Sequence, residues 1–196
     1  MEAYKRALAQ APKDPVVFNH LGLANFELER YDQALAAYRE ASRLAPEDPG
    51  PLLRMAEIHE KLGQRHAAAD AFINAADIHR SQRSWGDAIR AYQQASQLHP
   101  SHTAARQALA EVYTEVNQPQ RAAKEYLNLA RVLQREGQLE KALEQCRNAL
   151  ELDPRNAEAR TLAEGMHLGS TAEGEEMPAP VVGEEGGSPV DIARDK

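Results

Sequence analysis

The strongest constraint in this sequence is a short pattern of small, aromatic and proline residues that recurs along the chain. It consists of Ala, an aromatic or similar residue four residues later, Ala three residues after that, and Pro after five more. The pattern ends at Pro46, Pro100 and Pro154, which are 54 residues apart, and a truncated copy occupies residues 4–12. A fixed period is typical of repeat proteins, in which each unit buries its apolar face only against its neighbours.

Two consecutive 54-residue stretches of the sequence align with each other over their whole length. Residues 49–102 and 103–156 agree at many equivalent positions, such as Glu57 with Glu111. Each 54-residue unit has room for three helices, which the apolar periodicity predicts over 51–62, 65–81 and 85–98, and over 104–116, 119–135 and 139–152. The middle helix of each unit fits both the second helix of one pair and the first helix of the next. Either a linking helix was lost and the core adapted, or the odd helix count reshapes the groove.

Composition favours helices that pack closely together. Ala accounts for 35 of the 196 residues and aromatic residues for only 5%, whereas a β-sandwich favours β-branched and aromatic side chains. The single cysteine excludes an intrachain disulfide and a zinc cage of thiolates. No apolar run approaches the roughly 18 residues of a transmembrane helix, and the start lacks the apolar core of a signal peptide. We therefore expect a cytoplasmic protein that does not insert into a membrane.

The negative charge is concentrated at the end of the chain. The full sequence carries −7, and residues 170–196 contribute −5 through seven acidic and two basic residues. The same region is rich in Gly and Pro and loses its helical periodicity, which predicts a disordered acidic tail over 168–196. We interpret it as a solvating linker, the alternatives being a recognition segment and an arm that masks a groove. The nearly neutral body does not indicate a partner nucleic acid.

Residues 15–46 resemble one whole tetratricopeptide repeat (TPR). The matching positions are Phe18, Leu21, Gly22, Tyr31, Ala34, Tyr38, Ala41 and Pro46. Asn25 and Glu29 depart from the family, which usually has Tyr and often Gly there. The resemblance covers about residues 1–167 and implies an all-α, right-handed TPR-like solenoid of antiparallel helices. Its expected parts are a partial repeat (1–13), a whole repeat (14–48), two three-helix units (49–102 and 103–156) and a capping helix (157–167).

The TPR resemblance implies a concave groove, lined by the first helix of each pair, that binds a peptide or a partner helix. The candidate groove residues, transferred by position, are Asn19, Leu23, Phe26, Leu53, Glu57, Glu60, Gln107, Glu111 and Thr114. Some TPR co-chaperones hold the terminal carboxylates of chaperone tails with Lys and Asn, and this pattern is missing here. A ligand with mixed polar and apolar side chains is therefore expected, the alternative being that these residues form an ordinary solvated face.

No group of residues in the sequence forms a catalytic pattern. Cys146 replaces an aromatic residue of the repeat, so we expect a buried, inert thiol. His99 and His102 flank Pro100 in a turn, and no further ligand is evident beside them in the sequence. We therefore expect no catalytic residues, no metal site and no cofactor. Gly63 and Gly137 are predicted to end helices rather than to bind phosphate.

The beginning of the chain suggests an unfinished edge. Residues 2–11 resemble the second helix of a pair whose first helix is absent, which would expose Tyr4, Ala7 and Leu8. Three alternatives follow: the chain is part of a longer array, this edge associates with another subunit or copy, or the helix frays.

Taken together, these patterns predict a non-enzymatic protein–protein interaction scaffold with a protein or peptide ligand. The alternative is a structural subunit or repeat segment of a larger assembly, such as a pilus, secretion or signalling machinery, with the activity elsewhere. An enzyme is the third reading, and no residue pattern supports it.

Overall fold

The computed structural model describes the backbone of residues 13–172 and the side chains of residues 13–166. This part of the chain contains nine helices and no strand: α1 Pro15–Glu27, α2 Tyr31–Leu44, α3 Gly50–Lys61, α4 Arg65–Ser81, α5 Trp85–Leu98, α6 Thr103–Glu115, α7 Pro119–Arg135, α8 Leu139–Leu152 and α9 Ala157–Ala172. Each helix packs against the next in sequence. The predicted helix over 2–11 and the tail beyond Ala172 lie outside the described residues. None of the described helices is long and apolar enough to cross a bilayer.

The helices repeat with the 54-residue period of the sequence. The 14-residue helices α2, α5 and α8 begin at Tyr31, Trp85 and Leu139, one period apart. Helices α6 and α9 begin one period apart as well, and α3 begins within one residue of the same register. The 13 residues of α1 correspond to the last 13 residues of the 17-residue helices α4 and α7. One period therefore contains a helix pair, such as α1 and α2, and one additional helix, such as α3.

Side chains at equivalent positions accept hydrogen bonds from backbone N–H groups at the start of α3, α6 and α9. Asp48 Oδ1 accepts a hydrogen bond from the Gly50 N–H at 2.9 Å, and Asn156 Oδ1 accepts one from the Ala159 N–H at 3.0 Å. At the same position of the repeat, His102 Nδ1 accepts from the Ala105 N–H at 3.3 Å. Such caps satisfy amide groups that have no partner inside the helix, so they fix where α3, α6 and α9 begin.

Left-handed residues end five of the helices. Gly63 and Gly137 have φ of 70° and 74°, which confirms that these glycines follow helix ends. Glu29, Arg83 and Asn117 adopt the same conformation, with φ between 55° and 58°, at the ends of α1, α4 and α6. The chain therefore makes the same tight turn even where the sequence supplies no glycine.

The recurring Ala and aromatic positions form the core. Ala34, Ala88 and Ala142 are fully buried. The alanines seven residues later on the same helix face, Ala41, Ala95 and Ala149, are also fully buried. Tyr38 is 2% exposed and lies against Gly22, whose missing side chain lets α1 and α2 approach closely. The small residues thus allow close approach while the large ones fill the remaining space.

The last helix is longer than the sequence predicted. A capping helix over 157–167 followed by a tail from 168 was expected, whereas α9 continues to Ala172. Met166 is buried and Leu162 partly buried in a cluster with α7 and α8, including Leu129 and Leu133. This cluster anchors the helix, and adding residues to a formed helix is easy compared with starting one. Residues 168–172 therefore belong to α9.

Candidate functional site

The nine candidate groove residues occupy repeating positions of the fold. Leu53, Glu57 and Glu60 lie on α3, and one period later Gln107, Glu111 and Thr114 lie on α6. The other three, Asn19, Leu23 and Phe26, lie on α1. Helix α1 faces α3, the end of α4 faces α6, and the end of α7 faces α9, so these helices define three equivalent clefts. We call them the first, middle and third clefts.

The first cleft contains a small cavity between α1 and α3. Its volume is about 200 Å³, and it is lined by Asn19, His20, Leu23, Tyr38, Gly50 and Arg54. Leu23 is 42% exposed, which is unusual for a large apolar side chain and leaves it accessible to a ligand. Glu57 Oε2 accepts a hydrogen bond from Arg54 Nη1 at 3.0 Å, forming an ion pair near the cavity. The cavity thus combines an apolar wall with polar groups.

Two candidate residues of this cleft contribute mainly to the core. Phe26 is half-buried against Tyr31, with ring centroids 6.0 Å apart, and Lys61 Nζ lies 5.5 Å from its ring centroid. Leu53 is partly buried against the large apolar cluster formed by α4, α5 and α6. Glu60, by contrast, is exposed to solvent. The candidate residues of the first cleft that remain accessible are therefore Asn19, Leu23, Glu57 and Glu60.

Ion pairs bridge the middle cleft. Arg80 donates to Glu111 Oε2 at 2.9 Å through Nη1 and to Glu115 Oε1 at 2.8 Å through Nη2. Gln107 also donates to Glu111 Oε1, at 3.1 Å. The hydrogen bond to Glu115 is the main cause that raises the pKa of the Arg80 guanidinium, against the opposing effect of burial. Thr114 Oγ1 donates to the Ala110 carbonyl oxygen at 3.0 Å, so its hydroxyl is engaged within α6.

The sequence pattern alone did not identify Arg80 as part of this site. Arg80 lies one period after Phe26, and Glu115 lies one period after Lys61. The double ion pair in the middle cleft therefore takes the place of the contact between Lys61 and the Phe26 ring in the first. Carrying the groove positions forward by 54 residues onto the end of α4 would have identified Arg80.

The third cleft holds a larger cavity between α7 and α9. Its volume is about 430 Å³, and it is lined by Arg131, Gln134, Ala157, Glu158, Thr161, Leu162 and Gly165. Gln134 stands where the middle cleft has Arg80, and Gly165 stands where it has Glu111. The groups that bridge the middle cleft are thus replaced here by a shorter amide and a glycine. Arg131 forms an ion pair with Glu158 at the side of the cavity.

Among residues 13–166, no hydrogen bond or ion pair joins the α1–α3 candidates to the α6 candidates. The structure brings together Asn19 with Leu23, and separately Gln107 with Glu111. The candidates therefore belong to separate clefts.

The residue between the two alanines of the repeated pattern is buried in every copy that the structure describes: Tyr38, Tyr92 and Cys146. Burial raises the pKa of Tyr38, and burial followed by a hydrogen bond to Asp77 raises the pKa of Tyr92 further. Cys146, the third member, is fully buried, and burial raises the pKa of its thiol. The predicted burial of Cys146 is confirmed. A buried thiol with a raised pKa is a weak nucleophile, so these positions are suited to packing.

The fold also gathers histidines that look isolated in the sequence. His66, on the first turn of α4, lies with its Nδ1 3.2 Å from the Nδ1 of His99. His102 Nε2 lies 3.5 Å from Asp70 Oδ1. In the part of the chain with described side chains, no three His, Cys, Asp or Glu side chains are arranged to hold a metal ion.

Comparison with known proteins agrees with the repeat architecture. Family models described as tetratricopeptide repeat match residues 15–48, 79–134 and 123–156. The first and last matches cover the same stretch of the repeat two periods apart. The second and third overlap on α7, which is therefore matched once together with α6 and once together with α8. A search of curated proteins found no match.

Several solved structures resemble this chain. A TPR protein called YrrB, whose structure is described as having an unusual peptide-binding site, is 16% identical, with 83% of this chain and 98% of that chain covered and a TM-score of 0.37. Yeast Tom70 is 20% identical, with coverage of 88% and 44% and a TM-score of 0.36. A thermophilic TPR protein from Thermus thermophilus is 20% identical, with coverage of 79% and 100% and a TM-score of 0.29.

The family models together span more than half of the residues, and they coincide with helices whose bounds, caps and buried positions repeat in the same register. The chain belongs to the tetratricopeptide repeat family.

Proposed function

We propose that this protein is a non-enzymatic interaction scaffold that binds an extended peptide or an amphipathic partner helix through its three clefts. TPR domains are protein–protein interaction modules, and the fold supports that general role. The direct ligand contacts in this proposal are Asn19 and Leu23 in the first cleft, Gln107 and Glu111 in the middle cleft, and Thr161 in the third.

The charges in the clefts favour a ligand of mixed character. In each cleft an arginine is already paired with glutamate: Arg54 with Glu57, Arg80 with Glu111 and Glu115, and Arg131 with Glu158. A strongly acidic ligand would have to displace these carboxylates before it could use the arginines. A ligand that inserts apolar side chains and hydrogen-bonds to the polar rims requires no such exchange.

The observation that carries the proposal is the recurrence of a partly apolar cavity at equivalent positions of the repeat. The first and third clefts share this position, two periods apart, and both contain exposed or partly exposed apolar groups beside an ion pair. Two such cavities on one scaffold could hold two anchoring side chains of the same ligand, which increases affinity through effective concentration.

Peptide selection tests the proposal. A random peptide library displayed on phage is selected against the full chain, and the affinity of a selected peptide is then measured by fluorescence anisotropy. We expect Leu23→Ser to weaken binding at least about fivefold, because it removes about 1–2 kcal/mol of apolar contact. Leu28→Ser is the matched control, since Leu28 is also exposed but lies in the turn after α1.

The third cleft is tested with a second matched pair on α9. Thr161→Arg places a long side chain into the cavity, whereas Glu164→Arg places the same side chain on an exposed part of the same helix. We expect only Thr161→Arg to weaken binding of a peptide that occupies the third cleft. Equal affinity in Leu23→Ser, Thr161→Arg and the wild type would contradict the assignment of the clefts.

A further inference from the structure

We propose that His66 and His99 form a binding site for a divalent transition metal ion of the zinc, copper and nickel group. The site lies at the junction of α4, α5 and α6, away from the clefts of the proposed function. His66 is on the first turn of α4, and His99 is the residue directly after α5. A bound ion would therefore connect two elements that are 33 residues apart in sequence.

The separation of the two ring nitrogens fits two ligands of one metal ion. His66 Nδ1 and His99 Nδ1 are 3.2 Å apart and share a hydrogen bond, which a bound ion would replace. Two nitrogens that each lie about 2.0–2.1 Å from zinc in tetrahedral geometry are separated by roughly 3.3 Å. The rings meet edge to face, with centroids 4.1 Å apart, so both rings must rotate before their lone pairs face one ion. His66 is exposed, which makes that rotation easy and leaves the ion accessible to water as a further ligand.

The third histidine is committed to another task. His102 Nδ1 accepts the Ala105 N–H at the start of α6, so its proton resides on Nε2, which faces Asp70. The equivalent residues of the other units, Asp48 and Asn156, perform the same capping task. His102 is therefore explained by the repeat, and the metal site has two protein ligands rather than three.

The repeat does not explain His66 and His99. One period later, His66 corresponds to Gln120 and His99 to Asp153. The imidazole pair is thus specific to the first three-helix unit. Imidazole suits zinc, copper and nickel, whereas magnesium and calcium prefer oxygen ligands, so the chemistry of the pair selects the ion class.

The charged groups around the pair are engaged with other partners. Asp70, on the same helix as His66, faces Nε2 of His102, and Arg106 of α6 is engaged with Glu125 and with the Pro100 carbonyl oxygen.

Zinc titration of the untagged full chain tests the site. Isothermal titration calorimetry with zinc chloride at pH 7.5 should show that the wild type binds zinc. His66→Ala and His99→Ala should each weaken that binding at least about tenfold. Zinc should also raise the melting temperature of the wild type, because it binds only the folded arrangement, and this shift should disappear in both variants. Magnesium chloride at the same concentration should produce no shift.

His102→Asn is the matched control within the same cluster. Asn preserves the helix cap, as Asn156 does in the next unit, and removes the neighbouring imidazole. This variant should bind zinc with an affinity within about threefold of the wild type. The proposal is overturned if the wild type does not bind zinc, if His66→Ala binds as tightly as the wild type, or if His102→Asn loses as much affinity as His66→Ala. His66 is exposed on a first turn, so its removal leaves the fold intact and the test decisive.

Discussion

Replacing Gly22 with alanine tests whether close approach of α1 and α2 holds the first repeat together. A Cβ atom at Gly22 would lie 2.7–2.8 Å from three ring atoms of Tyr38, well inside van der Waals contact. Tyr38 is 2% exposed and packs against Ala34, Leu35 and Ile58, so its ring can yield only toward the first-cleft cavity that it lines. Overpacking of this kind costs about 1–3 kcal/mol. Replacing glycine with alanine inside a helix returns about 1 kcal/mol of helix propensity, so a net loss of up to about 2 kcal/mol is expected.

Gly165→Ala separates the two contributions. Gly165 lies inside α9, and a Cβ atom built there meets nothing within 4 Å. This variant should gain about 0.5–1 kcal/mol of stability from helix propensity alone. The difference between the two variants then measures the overpacking cost, and we expect about 1–3 kcal/mol in urea unfolding followed by circular dichroism at 222 nm.

A second substitution shows whether the Tyr38 ring is the cause. Tyr38→Leu removes the ring atoms that the new Cβ would meet, so Gly22→Ala should be less destabilising in the Tyr38→Leu background than in the wild type. The coupling free energy from the double-mutant cycle should be at least about 1 kcal/mol. The reasoning is refuted if Gly22→Ala stabilises the protein as much as Gly165→Ala does, or if the cycle shows no coupling.

Three further predictions follow from the caps, the ion pairs and the buried thiol. Asp14→Ala removes the acceptor of the Val16 N–H, 2.8 Å away, and should lower the free energy of unfolding by about 1 kcal/mol in urea titrations, whereas Asp14→Asn should retain most of the stability. Arg80→Met should cost about 1 kcal/mol at low salt and less in 1 M NaCl, because its partly exposed ion pairs are screened; an equal cost in both buffers would contradict this electrostatic explanation. Cys146 should react with a thiol reagent at pH 8 only as fast as the protein opens, because burial raises the pKa of the thiol and hides it; rapid reaction of the native protein would refute its burial.

Sequence reasoning predicts the helices well because their signals are local. The positions of Ala34 and Ala41, and of their equivalents, follow the 3.6-residue period and predict the buried face of α2, α5 and α8. The glycines at 63 and 137 predict helix ends because a left-handed turn favours glycine. The start of α9 is also predicted from the local sequence. Its end depends on the burial of Leu162 and Met166 against other helices, which a local pattern does not reveal.

The contacts within the candidate sites depend on how distant helices meet. Arg80 and Glu111 are 31 residues apart, and His66 and His99 are 33 residues apart, so neither pair has a local signature. The equivalence of Phe26 and Arg80 was available in the sequence, but it becomes informative only once α4 is known to face α6. For the same reason the sequence does not show that His66, on the first turn of α4, lies beside His99.

The three clefts show how one repeat can produce chemically different surfaces without changing its backbone. Helices α4 and α7 are each four residues longer than α1. Each of them packs against the helix before it and against the helix after it. The clefts are consequently built from equivalent positions, and their character depends on a few side chains. Phe26 beside Lys61 gives a half-buried aromatic contact, Arg80 with its two glutamates gives a polar bridge, and Gln134 beside Gly165 gives an open cavity. Substitutions at Arg80, Gln134 and Gly165 should therefore change ligand preference while leaving the repeat architecture in place, because none of them contributes to the fully buried alanine positions on which helix packing depends.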